Sequence, residues 1–335
     1  MLNRLLVIAK NTFIETLRQP IYGTIIVAAL LLMILAPSIS AYTLDEDIKL
    51  LRELGLSTLF LAGLFIAVFS ATGAITEEIE TGTIATVLSK PISRPVFVIG
   101  KFVGLAGAVG LAHLICTFAY LMAIRHGVIE RASDEIDWTV ITAGSIAILL
   151  TLLISGFMNY TYGWSVPASG ATLGAFLLGG AMLFLCIVDK EWKINPANNN
   201  FHSFDIYASL LLLLALITLV AMAVLFSTRF NVVITLTCCV GIFLLGLISD
   251  WVFGRFAIRN ISDPAYAFLD KAWIVAAKVG TVIVPNLQIY WVSDAIYETG
   301  VVPASYLLLA MGYTACYTAG ILALAIAFFQ KRQVG

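Results

Sequence analysis

The sequence has little charge, few histidines and no long basic run. Only 12% of the 335 residues are charged, and the formal net charge is -1. Proteins that bind nucleic acid usually cluster lysine and arginine against the phosphates, often with aromatic residues between them. Neither pattern occurs here. Nucleic-acid binding is therefore set aside as a function.

Motifs for ATP hydrolysis and for common hydrolases are also missing. Gly100-Lys101 continues into Phe102, and Pro95 stands where a GxxxxGK[ST] loop needs its first glycine. No HExxH or GxSxG sequence is present. We predict a chain that is not an enzyme on its own, without a cofactor or a catalytic residue.

Cysteine and histidine do not form a metal-site pattern. All five cysteines lie in apolar segments, with no CxxC spacing and no support for a disulfide framework. His113 lies in an apolar run with Cys116 one helical turn later, but two donors are too few for a metal site. We therefore predict no metal site and interpret His113 as a hydrogen-bonded structural residue. His126 and His202 are assigned to loops.

Apolar residues are abundant instead. They make up 61% of the chain, and the mean hydropathy is +0.99. Such a composition is typical of an all-α polytopic membrane protein, and a helix needs about 20 apolar residues to cross a bilayer. Residues 20–335 are predicted to form a single transmembrane domain. Its eight spans lie near 21–42, 56–75, 98–124, 138–158, 168–188, 206–227, 232–252 and 303–328.

Residues 1–19 show the pattern of an amphipathic interfacial helix. Apolar side chains recur every three or four residues, with polar ones on the opposite side. The alternative is an ordinary basic start before a first span. The apolar stripe comprises Leu2, Leu6, Ala9, Phe13 and Leu17, and the polar side comprises Arg4, Asn11, Glu15 and Arg18.

A polar interruption, Ile75 to Lys101, separates the second and third spans. It carries acids at Glu77, Glu78 and Glu80, followed by bases. Residues 81–88 contain no proline and place Ile84, Val87 and Leu88 on one helical face. Pro91 disfavours helix at the residue before it. The pattern predicts one short helix that ends near Lys90.

This segment resembles the first cytoplasmic loop of type-2 ABC transporter permeases, which are the membrane subunits of ATP-driven exporters. The C-terminal region, with Pro285-Asn286-Leu287, Val302-Pro303 and the ending Phe329-Gln330-Lys331-Arg332, resembles the branch labelled as permeases for multicopper enzyme maturation. The resemblance rests on a set of loop residues that the two share: Glu77, Glu80, Gly82, Thr83, Leu88, Ser89, Pro91, Ile92, Ser93, Arg94, Phe97, Gly100 and Lys101.

The resemblance implies a function and partners. In that family the loop forms a coupling helix that docks on a separate ATPase subunit at the cytoplasmic face, and two permease subunits pair as a homodimer or heterodimer. The expected location is a bacterial-type inner membrane. Neither copper nor any other substrate is indicated, since Met, His and Cys form no relay. The expected coupling surface comprises Glu77, Glu80, Thr81, Gly82, Thr83, Ile84, Val87, Leu88, Pro91 and Arg94.

Charge favours cytoplasmic termini. Lys and Arg are nearly equal in number on the two sides, but those on the side of the termini lie densely in short segments, where the positive-inside rule applies. The turn Ser227 to Asn231 belongs to that side, and Arg229 is interpreted as a secondary contact or a positive-inside anchor. On the other side, Thr43 and Glu46 have capping-box spacing ahead of a predicted short separate helix.

Residues 253–302 form the longest predicted extracytoplasmic segment. Within it, residues 272–292 are apolar but broken by Lys278, Pro285 and Asn286. Irregular backbone is not tolerated in contact with lipid, so this part is predicted to be shielded by protein or to lie at the interface. The resemblance implies half-helices that dip into the membrane. A ninth span is the alternative, and it would move the basic C-terminus outside.

Two further alternatives stay open. Gly100, Gly104, Gly107 and Gly110, with Ala108, give the third span a small-residue surface that suits close helix packing, either within the subunit or across a dimer. The second functional hypothesis is a polytopic membrane enzyme or assembly factor that works without nucleotide and uses a pocket near His113.

Overall fold

The computed structural model describes residues 2–41, 47–78, 93–129, 136–199, 201–261, 267–292 and 302–330. The described chain is almost entirely helical, and it is a multi-pass membrane protein. In the described residues, seven helices are long and apolar enough to cross a membrane, and the number is eight if one bent pair of helices is counted as a single span. The prediction of an all-α polytopic fold with about eight spans is thereby confirmed.

Eleven α-helices are present in the described segments. Their bounds are α1 Leu2–Arg18, α2 Pro20–Ser40, α3 Asp47–Ala71, α4 Arg94–His126, α5 Trp138–Tyr162, α6 Val166–Ile187, α7 Ser203–Ser227, α8 Val232–Leu247, α9 Arg255–Ala257, α10 Phe268–Ile283 and α11 Ala304–Gln330. A π-helical turn, Thr72–Glu77, extends α3, and another, Asp250–Gly254, precedes α9.

Local sequence signals set several helix ends. A proline in the first turn starts α2, α4 and α6, where a missing backbone N–H costs nothing. The Asp137 side chain caps α5 by accepting hydrogen bonds from the backbone N–H groups of Thr139 and Val140. That helix ends at Gly163, whose φ of 66° is in the left-handed region that glycine tolerates.

The centre of the bundle is formed by α3, α4 and α7, and α11 packs against α7. Two-thirds of the apolar stretch is buried in α3 and in α7, whereas α5 is the most lipid-exposed span. The hairpin α5–α6 packs on the outside of the bundle, mainly through α6 against α4. The strongly apolar outer surfaces fit a bilayer environment, because no water is available there to reward polar side chains.

The structure differs from the predicted description at two places. Residues 47–55 are not a separate helix lying over the spans, since α3 runs without a break from Asp47 to Ala71. Leu51 is 1% exposed, so this first part of α3 packs within the bundle. The seventh span does not continue straight to residue 252. It ends at Leu247 and is followed by a helical piece bent by 58°.

The segment after α10 enters the bundle as irregular chain. Leu287 and Tyr290 are almost fully buried, and the Leu287 N–H donates to the Gly246 carbonyl of α8 at 3.0 Å. Hydroxyls from α11 complete its hydrogen bonding: Tyr306 donates to the Ile289 carbonyl, and Tyr313 accepts from the Asn286 N–H. Leu287 and Tyr290 therefore pack against protein, whereas Val282 and Ile283 at the end of α10 are exposed.

Candidate functional site

The predicted coupling surface lies mostly outside the described residues. Residues 79–92 are not described, so Glu80, Thr81, Gly82, Thr83, Ile84, Val87, Leu88 and Pro91 have no structural account. Glu77 ends the π-helical turn after α3, and Arg94 begins α4. The structure does describe the two stems from which the segment emerges. We call the bundle end that carries these stems the loop end.

A partly buried ion pair joins the two stems. The Nζ of Lys101 on α4 lies 2.6 Å from Oε1 of Glu78, which follows the π-helical turn of α3. The Lys101 side chain is 5% exposed and the Glu78 side chain 21%. The ammonium also lies 5.6 Å from the centroid of the Phe97 ring, a cation–π distance. Because lysine is rarely buried unless it is paired, this contact fixes α3 and α4 together at their loop end.

The stem of α3 is also bound to the turn between α7 and α8. The Thr76 hydroxyl lies 2.9 Å from the Ser227 carbonyl and 3.2 Å from the Phe230 carbonyl, so its proton is shared between two acceptors. Thr76 is buried. A carbonyl at the end of a helix has no partner within the helix, and Thr76 supplies one for α7.

Two arginines bind the C-terminal end of α11. Arg94 donates from Nη1 to the carbonyls of Phe329 and Gln330, at 3.1 and 2.5 Å. Arg229 donates from Nη2 to the Phe328 carbonyl at 2.8 Å. Cations at a helix C-terminus satisfy its last carbonyls and complement the negative end of the helix dipole. The rings of Phe97 and Phe329 stack between these elements, 5.5 Å apart.

The loop end is therefore one connected assembly of three spans and one turn. It contains the end of α3, the start of α4, the α7–α8 turn and the end of α11. Sequence analysis placed Arg94 and Arg229 near this end but did not foresee their shared target. The signal for Lys101 was available in the sequence, since a lysine that enters a long apolar run must find a partner.

The glycines of α4 allow α1 to pack closely against it. A side-chain carbon at Gly100 would lie 2.8 Å from Ile8, and one at Gly104 would lie 2.5 Å from the Ala9 carbonyl. Gly107 approaches Phe13, so α1 runs alongside the part of α4 from Gly100 to Gly107 in the same direction. At these positions the small-residue surface packs within the subunit.

The buried face of α1 is shifted from the predicted stripe. Ile8, Ala9, Thr12, Thr16 and Leu17 are buried, whereas Leu2 and Leu6 are exposed.

The opposite end of the bundle, the far end, holds two buried charge clusters that sequence analysis did not predict. Arg125 pairs with Asp137 at 3.2 Å and donates to Thr139 and to the carbonyls of Leu185 and Val188. The Arg125 and Asp137 side chains are at most 1% exposed. Burial alone would raise the pKa of Asp137, but hydrogen bonds from Thr139 and Val140 and the Arg125 charge lower it below its ordinary value.

The second far-end cluster joins α3, α4 and α7. The guanidinium of Arg52 forms a two-point contact with Asp205, at 2.9 and 3.2 Å. Tyr120 donates to the same carboxylate at 2.9 Å. Asp205 is fully buried in the first turn of α7, where an acid also favours the helix dipole. Each charge in this cluster is paired, as low polarity requires.

His113 lies midway along α4 and is hydrogen-bonded, as expected. Its Nε2 lies 3.0 Å from both the carbonyl and the hydroxyl oxygen of Ser209, and Thr117 contacts that hydroxyl at 2.7 Å. In the described part of the chain, no group of three or more His, Cys, Asp or Glu side chains is arranged to hold a metal ion. The hydrogen bonds of His113 and Thr117 to Ser209 connect α4 to α7.

The comparisons with known proteins add no relative. No protein-family model matches the chain, and no curated protein sequence matches it.

Proposed function

We propose that this chain is the membrane-spanning permease subunit of an ABC-type exporter, driven by a separate ATPase subunit. The supporting observation is the set of contacts that connects the spans at the loop end. The two spans that flank residues 79–92 are joined there by the Lys101–Glu78 ion pair, and the same end contacts the α7–α8 turn and α11. The resemblance of the loop sequence supplies the nature of the partner.

The proposed mechanism transmits force from the loop to the spans. Closure of two ATPase subunits on ATP would displace the short helix of residues 81–88 that the sequence predicts. Because Lys101 ties the end of α3 to α4, the two helices would move together rather than slide apart. Arg94 would carry part of the displacement to α11 through its carbonyl contacts. A substrate path would open between two permease subunits in a plasma membrane, with both termini in the cytoplasm.

Coexpression with an ATPase encoded beside this chain tests the proposal. Gly82→Trp and Leu88→Asp alter the predicted coupling helix and are expected to reduce copurification and stimulated ATP hydrolysis by about tenfold, which corresponds to ~1.4 kcal/mol of contact free energy. Gly156→Trp is the matched control, since nothing lies within 4 Å of a side-chain carbon at that position. Unchanged complex formation and ATP hydrolysis in the loop variants would exclude the coupling role.

The side of the membrane provides a second test. Single cysteines at Glu80 or Lys90, in a chain whose five native cysteines are replaced, are expected to resist a membrane-impermeant maleimide added to intact cells. They should react once the membrane is permeabilised. Reaction in intact cells would place the loop on the wrong side for a cytoplasmic ATPase.

A further inference from the structure

A lateral groove of about 370 Å³ lies between α2, α4, α5 and α6. Its walls include Met33 and Pro37 of α2, Met122 of α4, and Gly144 and Ile148 of α5, and His126 closes one end. The volume is within the range of small-molecule sites, which is roughly 300–1,000 Å³. We call it the His126 groove.

The groove is long, narrow and apolar. On α2 its lining runs from Leu30 to Pro37, and on α4 from Ala119 to His126. Seven residues of helix rise about 10 Å, so the groove follows the spans for about that length. Apart from His126 and Ser145, no lining residue has a polar side chain. Such a shape fits a single hydrocarbon chain aligned with the helices.

His126 gives the groove one polar end. Sequence analysis assigned this residue to a loop, but it is the last residue of α4, next to Arg125 of the far-end charge cluster. Among the described residues its Nδ1 is buried without a hydrogen-bond partner. The His126 ring lines the groove, and an imidazole N–H at that end can donate a hydrogen bond to a ligand oxygen.

The helices around the groove indicate what kind of molecule would occupy it. All of its walls belong to spans that cross the membrane, where the bilayer is the solvent. We propose that an acyl chain of a membrane phospholipid occupies the His126 groove, with an ester or phosphate oxygen beside His126. This inference depends on the membrane architecture and not on the exporter function.

A photoreactive lipid tests the proposal. Proteoliposomes of phosphatidylcholine would contain a phosphatidylcholine with a diazirine on one acyl chain, and labelled peptides would be mapped by mass spectrometry. We expect labelling to concentrate on residues 30–37 and 119–126. Gly144→Phe fills the groove, because a side-chain carbon there already lies 3.8 Å from the Met122 sulfur. It should reduce this labelling at least about tenfold, a change equivalent to ~1.4 kcal/mol.

Matched variants separate the groove from the general lipid surface. Gly156→Phe adds the same ring to the same helix where nothing lies nearby, and it should label like the wild type. Ala123→Phe fills the groove from the α4 wall and provides a second blocking variant if Gly144→Phe does not fold. Equal labelling in the blocking and control variants, or labelling spread evenly over the exposed faces of α5 and α6, would overturn the proposal. So would purified wild-type protein that retains no phospholipid in native mass spectra.

Discussion

The two ends of the bundle use charge in different ways. At the far end, Arg125 and Asp137 are at most 1% exposed, and Arg125 is surrounded by acceptors at the start of α5 and the end of α6. At the loop end, Lys101 is buried but Glu78 is 21% exposed, and the arginines bind carbonyls at helix ends. The Arg125 cluster is thus shielded from solvent, whereas the contacts that connect the loop end are partly exposed. A bundle built this way is expected to move at the loop end and to stay rigid at the far end.

Replacement of Arg125 at the far end tests this comparison with the largest expected loss of stability. Arg125→Met leaves the Asp137 carboxylate buried without its charge partner. Loss of one member of a buried pair typically costs about 3–5 kcal/mol. We expect a large drop in folded yield and in the thermal unfolding midpoint of the purified protein. Lys193→Met is the control because its pair with Glu191 is exposed, and it should leave both measurements unchanged.

An unfolding midpoint for Arg125→Met equal to that of the wild type would show that the far end is not a rigid anchor. The double variant Arg125→Met with Asp137→Asn refines the result. It removes the stranded charge and is expected to recover part of the loss.

A substitution that disturbs the packing of α1 on α4 should have the next largest effect on stability. Gly104→Ala places a carbon 2.5 Å from the Ala9 carbonyl, a backbone atom that moves only if α1 shifts. Overpacking of this kind costs about 1–3 kcal/mol. Gly110→Ala is the matched control, since nothing lies within 4 Å there. Equal thermal stability of the two variants would mean that α1 is free to slide on α4.

The Lys101–Glu78 pair should have a smaller effect on stability than Arg125. In Glu78→Gln, a partly exposed acceptor is replaced by a neutral one, so Lys101 keeps a hydrogen bond but loses its counter-charge. We expect a loss of about 1–2 kcal/mol, in the lower part of the range for uncompensated polar groups. A double-mutant cycle with Lys101→Met measures the coupling directly. A coupling energy near zero would remove the proposed tie between α3 and α4.

Arg229, the exposed arginine of the α7–α8 turn that contacts the end of α11, should have the smallest effect on stability. Arg229→Ala removes one contact to the Phe328 carbonyl, and solvent screens the interaction, so we expect less than about 1 kcal/mol. Arg94→Ala removes two carbonyl contacts and should cost more than Arg229→Ala. Hydrogen exchange of the last turn of α11 would detect both changes locally. The reverse order would mean that the α7–α8 turn, rather than the start of α4, holds α11.

Much of the architecture was predictable from composition and hydropathy. Long apolar runs require helices in a bilayer, and this requirement gave the number of spans. The continuous α3 was missed because polar residues at its start, such as Glu53, resemble an extramembrane helix. Burial of Leu51 is a tertiary fact that no local pattern contains. The bend after Leu247 was missed for the same reason, since the Gly246 carbonyl bonds to Leu287, a residue 41 positions away.

The sequence by itself determined that this chain is a helical membrane protein with a polar segment between its second and third spans. A bilayer core offers no water to backbone groups, so hydropathy alone imposes that result. Only the tertiary structure decided which charges meet, because pairs such as Arg52 and Asp205 lie 153 positions apart and no periodicity connects them. It likewise decided that His126 closes an apolar groove, since the walls come from four separate helices.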